Sequence, residues 1–200
     1  SIKPFDLLAG KLAGICAVGM TQLAIWGLFI YLPVTFGEDI IQRFAPAASE
    51  IIQYLALIHF STFTFVMVIV LFLLGFILYA SLFAAIGAIV NTDDEAQQLQ
   101  LFVMAPIMLQ YFFFFAIVES PESNMAYWAS IFPFFTPILM TARLSLLEPQ
   151  IPDGFFLSIF LLIITVIAIL KLVSKIYRVG ILMYGKRPSL TELIKWIKYS

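Results

Sequence analysis

The sequence predicts an all-α, polytopic transmembrane helical bundle of four spans, with short extracellular re-entrant or interfacial helices and a cytoplasmic amphipathic helix at the C-terminus. Of its 200 residues, 62% are hydrophobic and only 12% are charged, whereas a soluble domain is roughly half apolar and a quarter charged. The apolar residues come in blocks longer than a buried core helix needs, which is the membrane signature. The basic residues gather toward the two ends of the chain, leaving the blocks between them almost uncharged.

The first block runs from Leu12 to Leu32 and is expected to close at Pro33. Tyr54 to Val90 is apolar throughout and would make a helix about 55 Å long, against roughly 30 Å of hydrocarbon. The spanning part is therefore placed near 65–90, with the preceding turns given to the interface. The third span is read at 99–118, with a kink expected at Pro106, and the fourth at 155–173. A further apolar piece, 125–144, is long enough to cross. Pro133 and Pro137 would interrupt it twice, and lipid cannot replace the lost backbone hydrogen bonds. A re-entrant or interfacial pair of short helices fits better.

Charge placement supports four crossings. Lys3 and Lys11 lie at the start of the chain, and Lys171, Lys175, Arg178, Lys186, Arg187, Lys195 and Lys198 lie at its end. The positive-inside rule puts both ends in the cytoplasm, which requires an even number of spans. The remaining tail, 174–200, is read as cytoplasmic. Within it Ser189-x-x-Glu192 forms a capping box ahead of a short basic amphipathic helix that suits the inner leaflet.

Three consecutive carboxylates, Asp93, Asp94 and Glu95, interrupt the apolar sequence between the second and third spans. Thr92 and Glu95 have capping-box spacing, and the acids lie at the positive end of the third helix's dipole. A helix start held at the water boundary explains them without a metal, for which fixed-geometry partners such as a nearby histidine are missing.

The chemistry the chain lacks narrows its function. Its net charge of −1 gives no basic field for nucleic acid. Cys16 is the one cysteine and His59 the one histidine. No zinc-protease, nucleophile-elbow or phosphate-loop motif occurs, so no catalytic, metal or cofactor residue is assigned and any ATP must be bound elsewhere. The spans hold no charge at mid-depth, which disfavours a proton relay or ion-coupled carrier. Gln22, Tyr79, Ser81 and Gln110 are the candidate polar residues for a pathway or for packing between helices. Gly10, Gly14, Ala80, Ala84, Gly87 and Ala88 form small-residue faces of the kind that admit close helix contact.

Four separated motifs resemble the ABC-2 type of ABC transporter permease. They are SIKPFDLLAGKLAGI at the start, LLGFILYASLFAAIGAIVNTDDEAQQLQ in the middle, IFPFFTPILMTARL before the last span, and KIYRVGILMYGKRPSLTELIKW at the end. The last is similar to the sodium-efflux permease-like branch. The resemblance covers nearly the whole chain, and six spans are usual in that family. The chain also starts at Ser1, in what reads as mid-loop, so it is expected to be the C-terminal part of a longer permease.

The resemblance implies a permease subunit, not itself an enzyme, that couples ATP hydrolysis by a separate subunit to export. Sodium or another cation, a drug and a lipid are all open as substrates. It further implies an ABC ATP-binding subunit carrying ATP and Mg, a second permease chain in a homo- or heterodimer, and a bacterial plasma membrane. Lys3, Asp6, Lys11, Asp93, Asp94 and Glu95 are the candidate ATPase-facing residues. The competing readings are an ATP-independent channel or carrier and a membrane assembly scaffold.

Overall fold

The computed structural model describes residues 4–36, 61–90 and 92–182. These residues form six helices: α1 (Pro4–Phe36), α2 (Thr62–Ile89), α3 (Asp93–Glu119), α4 (Asn124–Ile131), α5 (Thr136–Leu146) and α6 (Phe155–Leu182). Four of them, α1, α2, α3 and α6, are long and apolar enough to cross a membrane. The all-helical bundle with four spans and a short helical pair is therefore present. Lys3, Arg43, His59 and the amphipathic tail with its Ser189 cap lie outside the described residues.

Local sequence sets the helix starts. The Ser61 hydroxyl accepts from the Thr64 N–H at 3.1 Å and begins α2 three residues earlier than the expected span. The Thr92 hydroxyl accepts from the Glu95 N–H at 3.4 Å, which is the expected cap on α3. Ser123 does the same for α4, accepting from the Ala126 N–H at 3.2 Å. One proline behaves differently from expectation. Pro33 does not close α1, which continues to Phe36. Pro106 stands inside an unbroken α3.

Helix α2 is the centre of the bundle and touches α1, α3, α5 and α6. One core cluster joins it to α5 and α6 through Leu71, Leu78, Met140, Leu144, Phe155 and Leu162. A second, of Ile117, Ala126, Ala129, Phe135 and Leu139, joins α3, α4 and α5. A third, of Leu12, Ala85 and Val173, joins α1, α2 and α6 near the α2–α3 turn. Large apolar side chains such as Trp26, Phe102, Phe112 and Phe156 point outward. That inverted surface suits lipid rather than water as solvent.

The α4–α5 pair is a helical hairpin driven into the bundle from the end opposite the α2–α3 turn. At its tip the Tyr79 hydroxyl donates to the Phe134 carbonyl at 2.6 Å. Tyr79 lies about 26 Å along α2 from Thr62 at 1.5 Å per residue, more than half of that helix's length. Irregular backbone at such depth is tolerated only when its polar groups are satisfied by protein. Several are satisfied here: the Phe132 carbonyl accepts from the N–H of Phe135 at 2.8 Å and of Thr136 at 2.9 Å. The Thr136 hydroxyl lies 2.9 Å from the Ser130 carbonyl. The two prolines that argued against a straight span thus frame a re-entrant turn.

Candidate functional site

A groove of about 820 Å³ runs along α2 between α1, α3 and α5. Its floor is α2 itself, through Val68, Phe72, Gly75, Phe76, Tyr79, Ala80, Phe83 and Ala84. From Ala84 to Val68 it extends about 24 Å, most of a hydrocarbon thickness. Helix α3 contributes Ile107, Gln110 and Phe114, and the hairpin contributes Pro137, Ile138, Thr141 and Ala142. Lys11 and Ile15 form the α1 edge.

Close contact fixes the shape of this groove. A Cβ added at Gly75 would lie 2.6 Å from Pro137 Cγ, so α5 can reach α2 there only over a glycine. A Cβ at Gly19 of α1 would lie 3.1 Å from the Phe76 ring. By contrast Gly10, Gly14 and Gly87 have nothing within 4 Å of such a position among the described residues, so they seat no helix there. Ala80 and Ala84 do pack, around Leu12. Ala88 is half-buried near the end of α2.

The polar candidates separate in the same way. Gln22 is exposed on α1 and does not line the groove. Ser81 is fully buried and its hydroxyl donates to the Leu78 carbonyl at 2.8 Å, which occupies it within its own helix. Tyr79 lines the groove while holding the hairpin tip. Gln110 is only 1% exposed, lines the groove, and neither its Oε1 nor its Nε2 has a hydrogen-bond partner among the described residues. A buried amide without partners is costly, of order 1–3 kcal/mol. The groove otherwise offers it aromatic and aliphatic walls.

At the turn end, Asp6 and Lys11 on α1 stand on the same side of the molecule as Asp93, Asp94 and Glu95. The register shows this: Leu12 packs against Ala85, while Gly19 meets Phe76, so α1 begins where α2 ends. Asp6, Lys11, Asp93 and Asp94 are exposed, and Glu95 is half-buried. Among the described residues no three His, Cys, Asp or Glu side chains come together as metal ligands would.

Arg143 is a structural centre of the hairpin. It is 2% exposed. Its Nε donates to the Pro121 carbonyl at 2.8 Å, and its Nη1 donates to the Ser130 hydroxyl at 2.9 Å and the Asp153 carbonyl at 3.2 Å. One guanidinium thus ties the loop before α4, α4 itself and the loop before α6. Burial pulls its pKa below the usual value, against the nearby charge of Asp153. The signal was available: an arginine alone in a long apolar, proline-rich run demands buried acceptors.

Comparison with known proteins places this architecture. Residues 1–175 match the family described as ABC-2 family transporter protein. The chain belongs to the ABC-2 transporter family. It is similar to the uncharacterized protein YhaP of Bacillus subtilis, with 32% identity over 190 residues, covering 92% of this chain and 43% of YhaP. It is also similar to the uncharacterized protein MJ1024 of Methanocaldococcus jannaschii, with 27% identity over 192 residues, covering 96% of this chain and 43% of that protein. The chain therefore spans less than half the length of these relatives. No solved structure matches it.

Proposed function

We propose that this chain is the C-terminal part of the permease subunit of an ATP-binding-cassette exporter, with ATP hydrolysed by a separate subunit. The observation that carries the reading is the ABC-2 match over residues 1–175, which takes in three candidate spans and all but the last residue of the fourth. In this reading the α2–α3 turn and both ends of the segment face the cytoplasm of a bacterial plasma membrane. Asp6, Lys11 and Asp93–Glu95 then stand where an ATPase docks. Charges on a tight turn are rigidly tied to two spans, so a push on them moves α2 and α3 together. The permease works as a dimer, and closure of the ATPase pair around ATP and Mg changes how the spans pack. Export of sodium, of another cation, of a drug or of a lipid is compatible with the family, and the branch is assigned by resemblance alone.

The test is co-expression of the full-length permease with its ATP-binding-cassette protein, followed by purification and ATP-dependent transport in vesicles against a substrate panel. A stable complex that moves a substrate only with hydrolysable ATP is expected. A permease that transports without the ATPase would overturn the reading.

A further inference from the structure

The groove pairs two features that ordinary packing does not explain together. Its walls are almost wholly apolar, and its volume of about 820 Å³ falls in the range of roughly 300–1,000 Å³ common for small-molecule sites. Set into that wall is Gln110, 1% exposed, with both a donor and an acceptor unused among the described residues. The two hydroxyls of the wall are occupied, and Lys11 stands exposed at its α1 edge. The Tyr79 hydroxyl donates to Phe134, and the Thr141 hydroxyl donates to the Pro137 carbonyl at 2.7 Å.

We infer that the groove is a binding site for a membrane-resident amphiphile with an apolar body and a neutral amide or hydroxyl group, which pairs with Gln110. A group of that kind both donates and accepts, and so satisfies both ends of the side-chain amide. A metal cation satisfies only Oε1, and hard cations take several oxygen ligands at once. The ligand enters from the bilayer because the groove's rim includes Ile15 and Ile138, 40% and 43% exposed, on a surface otherwise suited to lipid. Its length of about 24 Å accepts an extended chain lying along α2. That this molecule is the one transported rests on the permease reading, whereas its binding does not.

The experiment uses the full-length permease in phosphatidylcholine nanodiscs, with and without its ATPase. The probe is a long-chain N-acyl ethanolamide carrying a diazirine on its acyl chain. Saturable labelling is expected on peptides from α2 and α3 that line the groove, with no competition from sodium. Gln110→Leu should weaken binding about tenfold, and Ala84→Phe, which fills the groove, should abolish it. Unliganded Gln110→Leu should melt no lower than wild type, because it removes an unpaired amide from an apolar wall. Any of three results overturns the site: unsaturable labelling, labelling equal in both variants, or displacement of the probe by sodium. A Gln110→Cys side chain that cross-links quantitatively to another helix of the full-length protein, with or without probe, also overturns it by showing a protein occupant. Stimulation of ATP hydrolysis by the probe, lost in Gln110→Leu, supports the substrate role. Groove labelling in a permease that neither binds nor stimulates the ATPase supports the site and sinks the permease reading instead.

Discussion

Gly75 of α2 lies directly beneath Pro137 of α5, so that the re-entrant hairpin rests on bare backbone. Any Cβ at position 75 falls 2.6 Å from the proline's Cγ, and neither partner is a flexible side-chain end that could swing aside. Gly75→Ala should destabilise the protein, by about 1–3 kcal/mol as overpacking does, and Gly75→Val by more. Thermal melting of the purified protein in detergent measures this. Pro137→Gly in the Gly75→Ala background should recover part of the loss. A double-mutant cycle with zero coupling would show that the contact does not govern the hairpin's seat.

Arg143 should behave as a clamp rather than a surface cation. Arg143→Met leaves the Pro121 and Asp153 carbonyls and the Ser130 hydroxyl without their donor. Hydrogen bonds to a charged group contribute about 1.5–3 kcal/mol each, less the water that can enter. A loss of about 3 kcal/mol is expected, with protease cleavage appearing first around residues 121–123 and 148–154. Arg143→Lys keeps the charge but not the fork of donors, and should recover only a fraction.

What the sequence revealed and what it hid divide along one physical line. Block length and hydropathy depend on solvent alone, so the spans α2, α3 and α6 and the cap at Thr92 were readable. Pro133 and Pro137 signalled a break because lipid punishes free backbone groups, and the hairpin follows from that. The depth of its tip was not readable, since it is set by contacts between distant segments: Gly75 with Pro137, Tyr79 with Phe134. The same holds for the polar side chains. Gln22 and Gln110 look alike in sequence, yet one is exposed on α1 and the other is buried in the groove. Only packing tells them apart.

Glu148 gives the hairpin end a sensitivity to acid. The Ser61 N–H donates to its Oε1 at 2.6 Å, linking the start of α2 to the loop after α5. Hydrogen bonding from Ser61, its hydroxyl first and its backbone N–H second, with help from Thr64, holds the carboxyl below its usual 4.5. A carboxyl with a depressed folded pKa contributes fully above its unfolded value and loses that contribution as pH falls through the folded one. Amide exchange at residues 61–65, corrected for intrinsic rates, should therefore be flat above about pH 5 and rise in more acid solution. Glu148→Gln should show the faster exchange at neutral pH and no further acid step. An acid step that survives in E148Q would assign the sensitivity to another group.

The helix start seen at the acidic turn and the docking surface proposed for it can be separated. Thr92→Ala removes the hydroxyl that caps α3, and because the bond is long at 3.4 Å the cost should sit near the low end of the usual range, about 0.5–1 kcal/mol. It should leave assembly with the ATPase unchanged, since the carboxylates remain. Reversing Asp93 and Asp94 to lysine reverses the roles. The exposed side chains lose a favourable dipole interaction of about 0.3–1 kcal/mol each, too little to unfold two packed spans. A docking surface, however, changes sign, and like charges brought together slow association and weaken the complex. Retention of the ATPase on the purified permease should fall at least tenfold in the double reversal, more steeply at low salt than at high. If the reversed turn retains its ATPase and transports at the wild-type rate, the carboxylates serve α3 alone, and the ATPase must dock on another part of the permease.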